Sequence, residues 1–343
     1  MFQLNFSLAS EELPVLPTVK YGQLELLSRA KISEISAQEV TNIAKEESKK
    51  HSDDGYLANR KVTECFDAFG CRYTGGQYNN ELIHFRFRSP LKIVPGKKYP
   101  LIVWFHDAGE SGNDNERQLA HLNYAFPFFA GPDNIDFFML VTQCPSNNRS
   151  WTASKSPEGK GDAPFTIAAE IFEQVLKEFP IDQKRITTFG MCSGAEGATM
   201  LLKKYPELVS AIVYSSASAP AQTINDVPIC SFHCTHDPNV SIDGMRKYVQ
   251  DVNNVGGNAH LTEVDSRSHD SWGAALSKYK VIAWMTAQKK NSLLSPPPGI
   301  FSLGWSWRQV FIYFGIPLCC LVILFVARLL ILFIAWLWRG KVV

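Results

Sequence analysis

The sequence lacks an excess of either charge. Thirty-four lysines and arginines stand against 33 acids in 343 residues, a formal net charge of +1. No arginine-rich arm or basic run stands out, which excludes a nucleic-acid partner. Cysteine is scarce as well. The eight residues Cys65, Cys71, Cys144, Cys192, Cys230, Cys234, Cys319 and Cys320 are too few for a disulfide scaffold at this length, and their spacing fits no standard zinc motif. Cys65 and Cys71 lie near enough to pair in an exported domain; two reduced thiols are the equal alternative. Met1 to Pro14 lack a basic n-region and a long apolar h-region, so no secretory signal is read there, although Leu8-Ala9-Ser10 before Glu11-Glu12 faintly resembles a cleavage site.

What is present is a core. Apolar residues make up 45% of the chain, ordinary for a globular protein, and the length suits one large domain with appendages. Over residues 1–60, Ser36-Ala37-Gln38-Glu39 fits a capping box that would open a helix from Ser36 to Lys50. His51 to Gly55 then reads as a turn. Farther on, Glu81–Arg88 alternates Ile83, Phe85 and Phe87 with His84, Arg86 and Arg88, the pattern of a half-buried strand. Pro95-Gly96 marks a turn. Tyr99–Phe105 and Phe137–Thr142 are continuous apolar runs, as expected of strands buried on both faces. Phe165–Phe179 has helical periodicity. Further strands are expected at Ile186–Phe189, Leu208–Tyr214, Val227–Phe232 and His260–Val264. Helices are expected up to Lys204, over Ser241–Val252 and over Ala274–Lys289. Strands alternating with helices predict a mostly parallel sheet covered on both faces, with reactive residues just past the carboxyl ends of the strands.

The chemistry concentrates at one elbow. The strand Ile186–Phe189 runs into Gly190-Met191-Cys192-Ser193-Gly194 and then into a helix of small residues. Glycines two before and two after Cys192 match the G-x-S-x-G nucleophile elbow with cysteine as the nucleophile. If Ser193 were the nucleophile, the flanking residues would be Met191 and Ala195, and Met191 is too bulky for its place. Asp237 and His269 each follow a later strand. Nucleophile, acid, histidine is the α/β-hydrolase order. His269 would serve as general base and Asp237 would orient it, with Asp265 and Asp270 as competing acids. The backbone N–H groups of Ser193 and Ala108 are the candidate oxyanion donors. His233 and His236 offer a His-x-x-His spacing, but on an extended segment they point to opposite faces, so no metal site is read.

From about Cys71 to Lys289 the chain resembles α/β-hydrolase esterases of the predicted-peptidase and polyhydroxybutyrate-depolymerase-like branch. The likeness is carried by Tyr73-Thr74-Gly75-Gly76, the strand from Lys97 to Phe105, the His106–Gly112 loop with Asp114-Asn115, Gln143-Cys144-Pro145, the elbow, Phe232-His233 through Asp237-Pro238, and His269-Asp270-Ser271-Trp272. It implies an α/β-hydrolase fold and hydrolysis of a carboxylic ester, lactone or thioester through an acyl-enzyme, with no cofactor. Peptide-bond cleavage fits less well. The sequence departs from that pattern at two positions. Cys192 stands where serine is usual, resembling the cysteine nucleophile of dienelactone hydrolase. Asp107 stands where glycine is usual, and a carboxylate there opposes a developing oxyanion. A binding or scaffold protein on a decayed hydrolase fold is the alternative. Trp151, Trp272, His106 and Glu196 are candidates to line the substrate site; core packing is the other reading for the tryptophans and a helix surface for Glu196.

Beyond Lys290 the composition changes. Ser295-Pro296-Pro297-Pro298-Gly299 is a stiff linker, and the apolar run that follows is long enough to span a bilayer, interrupted only by Arg328 and flanked by Trp305, Trp307, Trp336 and Trp338. The expected organisation is an arm over 1–60, a hydrolase domain over 61–290, a linker over 291–308, a single membrane-spanning helix over 309–338 and a basic tail over 339–343. The expected partners are an ester substrate and the lipid bilayer. The missing signal and the free reactive cysteine favour a cytosolic domain, against which stand Cys65, Cys71 and the frequent export of such enzymes.

Overall fold

The computed structural model describes residues 22–28, 38, 42–43, 49–51, 55–73, 82–131, 133–145, 150–152 and 164–291. The chain divides into two compact units, Met1–Pro298 and Gly299–Val343, and every described residue belongs to the first. The expected membrane helix at 309–338 lies outside the described residues. Among the described residues no helix is long and apolar enough to cross a membrane.

The strands in chain order are β1 (Gly22–Ser28), β2 (Lys49–His51), β3 (Gly55–Leu57), β4 (Asp67–Tyr73), β5 (Leu82–Arg88), β6 (Tyr99–Phe105), β7 (Phe138–Thr142), β8 (Ile181–Met191), β9 (Val209–Ser215), β10 (Ile229–Cys234) and β11 (Ala259–Val264). Nine of them form one sheet in the order β1-β4-β5-β7-β6-β8-β9-β10-β11, while β2 and β3 pair separately. From β7 to β11 every pairing is parallel; β1, β4 and β5 add an antiparallel flank. The α-helices are α1 (Arg60–Thr63), α2 (Pro164–Glu178), α3 (Gly194–Lys204), α4 (Ile242–Asn254) and α5 (Val281–Ala287).

β6 shows why these runs fold as central strands. All seven of its residues are buried. Tyr99, Leu101, Val103 and Phe105 join the core under α2, α3 and α4, while Ile102 and Trp104 join the opposite core under α5 and the 3-10 segment Leu122–Phe128. A strand covered on both faces has no solvent side, so its sequence reads as unbroken apolar residues.

Several expectations are corrected. Strand β1 comes from the segment read as an arm and pairs with β4 at the sheet edge. The helix expected to reach Lys50 stops earlier: Gln38, Asn42 and Ile43 are helical, but Lys49 and Lys50 lie in β2. The Ala274–Lys289 helix is two pieces, a π-turn at Ala274–Lys278 and α5, separated by Lys280 at a φ of 49°. Strand β5 is not half-exposed, because both of its arginines are buried. Arg86 Nε donates to the Asn115 carbonyl. Arg88 donates to the carbonyls of Phe137 (2.7 Å) and Phe129 (3.2 Å) and to Asn134 Oδ1 (3.0 Å), with Phe137 4.4 Å from its guanidinium. Burial lowers its pKa to about 10. Cys65 is a free buried thiol that donates to the Lys61 carbonyl, so it is not half of a disulfide.

Candidate active site

The elbow is built by close backbone approach. Strand β8 ends at Met191, and α3 begins at Gly194, with two residues between them. Cys192 sits between them at a φ of 45°, in the left-handed region that side-chain-bearing residues rarely adopt. Its N–H donates to the Ser215 carbonyl at 2.9 Å, and its own carbonyl accepts from Ala195 N–H at 3.1 Å. A Cβ on Gly190 would lie 2.6 Å from Ala195 Cα, and one on Gly194 would lie 2.1 Å from the Phe105 carbonyl oxygen. Both glycines are required by contact. The register therefore puts Cys192, not Ser193, at the apex. Ser193 Oγ is buried and lacks a hydrogen-bond partner, and its residue starts α3 in helical conformation.

His269 and Asp237 come together as expected. His269 Nδ1 donates to Asp237 Oδ2 at 2.7 Å. The other carboxylate oxygen, Oδ1, accepts from the N–H groups of Asn239 (2.8 Å) and Val240 (3.0 Å). Burial alone would raise the Asp237 pKa, but those donors and His269 hold it below the usual carboxylate value. The competing acids are elsewhere: Asp265 is exposed, and Asp270 Oδ1 accepts from Gly273 N–H. His233 and His236 do not converge. His233 is buried with Nε2 on the Val240 carbonyl, whereas His236 is exposed and bonded to Thr235 Oγ1.

The loop after β6 holds the main surprise. Asp107 is the N-cap of a 3-10 turn, Ala108–Glu110, in a reciprocal capping box with Glu110. Its Oδ1 accepts from Ala108 N–H at 2.5 Å. The N–H expected to hold an oxyanion is thus already taken by a carboxylate of its own loop. Glu110 is buried and anchors the turn, accepting from Asp107 N–H at 3.0 Å and pairing with His121 Nε2 at 2.7 Å. Asp107 also reaches Cys192. Oxygen of Asp107, sulfur of Cys192 and nitrogen of His269 all lie within 4.8 Å of one another. Burial, followed by the charge and hydrogen bond of Asp107, pushes the Cys192 thiol up to about 12, against a smaller downward pull from Ser193 N–H. The lowering expected from a helix start and an imidazole is outweighed, because a thiolate here would be stripped of solvent and would face a carboxylate.

The remaining candidates fall mostly behind the site. His106 is fully buried, donating Nδ1–H to the Asp107 carbonyl (2.6 Å) and accepting at Nε2 from Cys144 N–H (2.9 Å). Both ring nitrogens are committed, and burial lowers its pKa, so it supports the loop as a neutral ring. Trp151 is core, edge-on to Phe105 and donating to the His106 carbonyl. Trp272 is buried but stands edge-on to His269, with ring centroids 5.5 Å apart. Glu196 is exposed and accepts from Ser150 Oγ (2.6 Å) and Thr152 Oγ1 (3.0 Å).

A serine network was not foreseen. Ser271 Oγ bridges Ser215 Oγ (2.7 Å) and Ser216 Oγ (2.8 Å) and donates to the Phe232 carbonyl (3.0 Å). It ties the His269 loop to the ends of β9 and β10 beneath the elbow. The only sequence signal was the position of Ser215-Ser216 just past a strand.

A phospholipase/carboxylesterase family pattern matches residues 138–282. Among solved structures, a thermostable esterase is 27% identical with a TM-score of 0.58, covering 67% of this chain and 64% of its own. An acylaminoacyl peptidase from Pyrococcus horikoshii is 12% identical at a TM-score of 0.46, covering 72% and 44%. A bacterial heroin esterase is 13% identical at 0.46, covering 65% and 82%. The chain spans less than two thirds of the length of the first two of these structures. No curated protein sequence matches it. With its parallel sheet, its strained elbow and its acid and histidine loops in this order, the chain is an α/β hydrolase by fold.

Proposed function

We propose that the chain hydrolyses a carboxylic ester, lactone or thioester through an acyl-enzyme on Cys192. The observation that carries this reading is the His269–Asp237 hydrogen bond of 2.7 Å beside a cysteine on a left-handed elbow. His269 takes the thiol proton through Nε2 while Asp237 holds the ring and stabilises the imidazolium. The thiolate attacks the carbonyl carbon, and the oxyanion is met by the N–H groups of Ser193 and Ala108. For the second donor to serve, the Asp107 carboxylate must swing off Ala108 N–H. Collapse of the intermediate expels the alcohol or thiol with the proton from His269. Water, activated by the same histidine, then releases the acid and restores the thiol.

The second reading, a binding protein on a decayed hydrolase fold, is favoured by one specific observation: Asp107 occupies the Ala108 N–H and sets its carboxylate beside the Cys192 thiol. We further propose that residues 309–338 tether the domain to a bilayer, supported by the apolar run and its flanking tryptophans, with the domain in the reducing compartment that suits its free thiols. One experiment addresses both parts. Cell membranes bearing the full chain are washed with alkaline carbonate and assayed with p-nitrophenyl esters. Activity should sediment with the membranes, fall about 10²–10⁴-fold in His269→Ala and vanish in Cys192→Ala. Full activity in Cys192→Ala sinks the nucleophile, soluble activity sinks the tether, and a folded wild type that neither hydrolyses nor reacts with a thiol probe establishes the binding reading.

A further inference from the structure

Three donor atoms of three kinds meet in front of the elbow. A carboxylate oxygen of Asp107, Sγ of Cys192 and a ring nitrogen of His269 lie within 4.8 Å of one another, and none of the three residues is fully exposed. His269 donates Nδ1–H to Asp237, which fixes the tautomer and leaves the Nε2 lone pair as the one available for a ligand. We propose that Asp107, Cys192 and His269 form a three-ligand site for a divalent cation of the zinc class, with a fourth position open.

The donor set is the first argument. One thiolate, one imidazole and one carboxylate suit a borderline-soft cation, while magnesium and calcium prefer sites made of oxygen. Distance is the second. Zinc bonds of about 2.0–2.3 Å in a tetrahedron put ligand atoms about 3.4–3.6 Å apart. A cluster within 4.8 Å needs a contraction of about an ångström, within reach of side-chain torsions at Asp107 and Cys192. The backing is the third. Metal-bound histidines characteristically donate their other N–H to a carboxylate, and Asp237 is that carboxylate, itself fixed by Asn239 and Val240.

Charge is the fourth argument. A thiolate at Cys192, a carboxylate at Asp107 and a neutral imidazole at His269 around two positive charges make a site with no net charge. The carboxylate that opposes an oxyanion is here an asset. The two residues that depart from the resembled esterase pattern supply the two anionic ligands. A fourth position open to water matches a three-ligand zinc site.

The binding claim shares residues with the proposed ester hydrolysis but does not depend on turnover. Its regulatory consequence, that the loaded cation withdraws thiol and base from esterase use, does rest on that reading. The test is cobalt(II) titration of the metal-free full chain in detergent, followed by zinc competition. We expect one equivalent of cobalt to give a thiolate-to-cobalt charge-transfer band with d–d bands of tetrahedral intensity, both lost on adding zinc. Cys192→Ser, folded by circular dichroism, should lose the charge-transfer band. Asp107→Gly and His269→Ala should weaken zinc binding tenfold or more. A folded wild type without the band overturns the site, as does a band that survives Cys192→Ser or zinc affinity unchanged in both other variants. Ester hydrolysis is measured separately in chelator, so loss of one reading leaves the other standing.

Discussion

The elbow after β8 and the loop after β6 lie against each other, yet they are specified by different means. The elbow is fixed by backbone. A Cβ at Gly194 would meet both the Phe105 and the His106 carbonyls, at 2.1 and 2.7 Å. Nothing about the chemistry at the apex enters that constraint, so serine and cysteine fit it alike. The loop is fixed by side chains: Asp107 caps the 3-10 turn, Glu110 caps it in return, and His121 and His106 hold the pair from behind. The fold therefore dictates where Cys192 stands, while the loop's own side chains decide what electrostatics it meets. A hydrolase fold can keep its elbow and still change its chemistry one loop away.

The largest expected effect tests the backbone half of this comparison. Gly194→Ala drives a methyl group into two carbonyl oxygens of a buried strand end, where neither can move far. Destabilisation of about 3 kcal/mol or more is expected, read as the change in urea midpoint at constant slope. Ser193→Ala, next in sequence, removes a hydroxyl without a partner and should stay within about 0.5 kcal/mol. If Gly194→Ala is as stable as Ser193→Ala, the elbow is not held by close approach.

The next effect tests the side-chain half. Asp107→Asn keeps a side-chain cap but removes the charge, and Asp107→Gly removes the side chain while remaining a tolerated N-cap. In the native site the thiol pKa is raised to about 12, so its reaction with iodoacetamide should still be climbing above pH 10. Removing the carboxylate lowers the thiol pKa, because the thiolate no longer faces a negative charge. The rate profile should move to lower pH, with labelling at pH 8 faster by about tenfold or more. Both should do this with little loss of stability, since asparagine caps as aspartate does and glycine at an N-cap costs only about a few tenths of a kcal/mol. Profiles that coincide with the native one would show that burial alone sets the thiol.

The same division explains what could be read in the sequence. The continuous apolar runs of β6, β7 and β9 announced strands buried on both faces, and the glycine spacing located the elbow. These are constraints that neighbouring residues impose on one another. Strand β4, Asp-Ala-Phe-Gly-Cys-Arg-Tyr, and strand β1 lie in the antiparallel flank and carry no comparable run, so they passed unseen. The burial of Arg88 depends on carbonyls more than 40 residues away, which no local pattern reveals. Lys280 breaks a helix at positive φ without the glycine or proline that would mark it. At the site, strand order was enough to choose Asp237 over Asp265 and Asp270. Asp107 reads from sequence as a charge out of place, yet its local signature, Asp-x-x-Glu at the start of a turn, is that of a cap. That signature would have shown that Ala108 N–H was already engaged.

The smallest expected effect concerns Glu196, the one exposed acid in the first turn of α3. It was a candidate to face substrate, and its observed partners are instead the hydroxyls of Ser150 and Thr152. A carboxylate in the first turn of a helix is favoured by the helix dipole by about 0.3–1 kcal/mol, and each exposed hydroxyl bond adds little more. Glu196→Gln keeps an acceptor oxygen and removes the charge, so it should cost about 0.5 kcal/mol, less still at high salt. It should also leave Cys192 alkylation and ester turnover within about twofold of native, because its anchoring role lies outside the proton path from Cys192 to His269. The comparison is sharpened by contrast with Asp107. Both are carboxylates at the start of a helical turn, one after β6 and one after the elbow, and only the one that reaches the sulfur should alter its reactivity. Equal shifts in the labelling profile from Glu196→Gln and Asp107→Asn would mean that the site responds to general negative charge, and the assignment of control to the loop would fail.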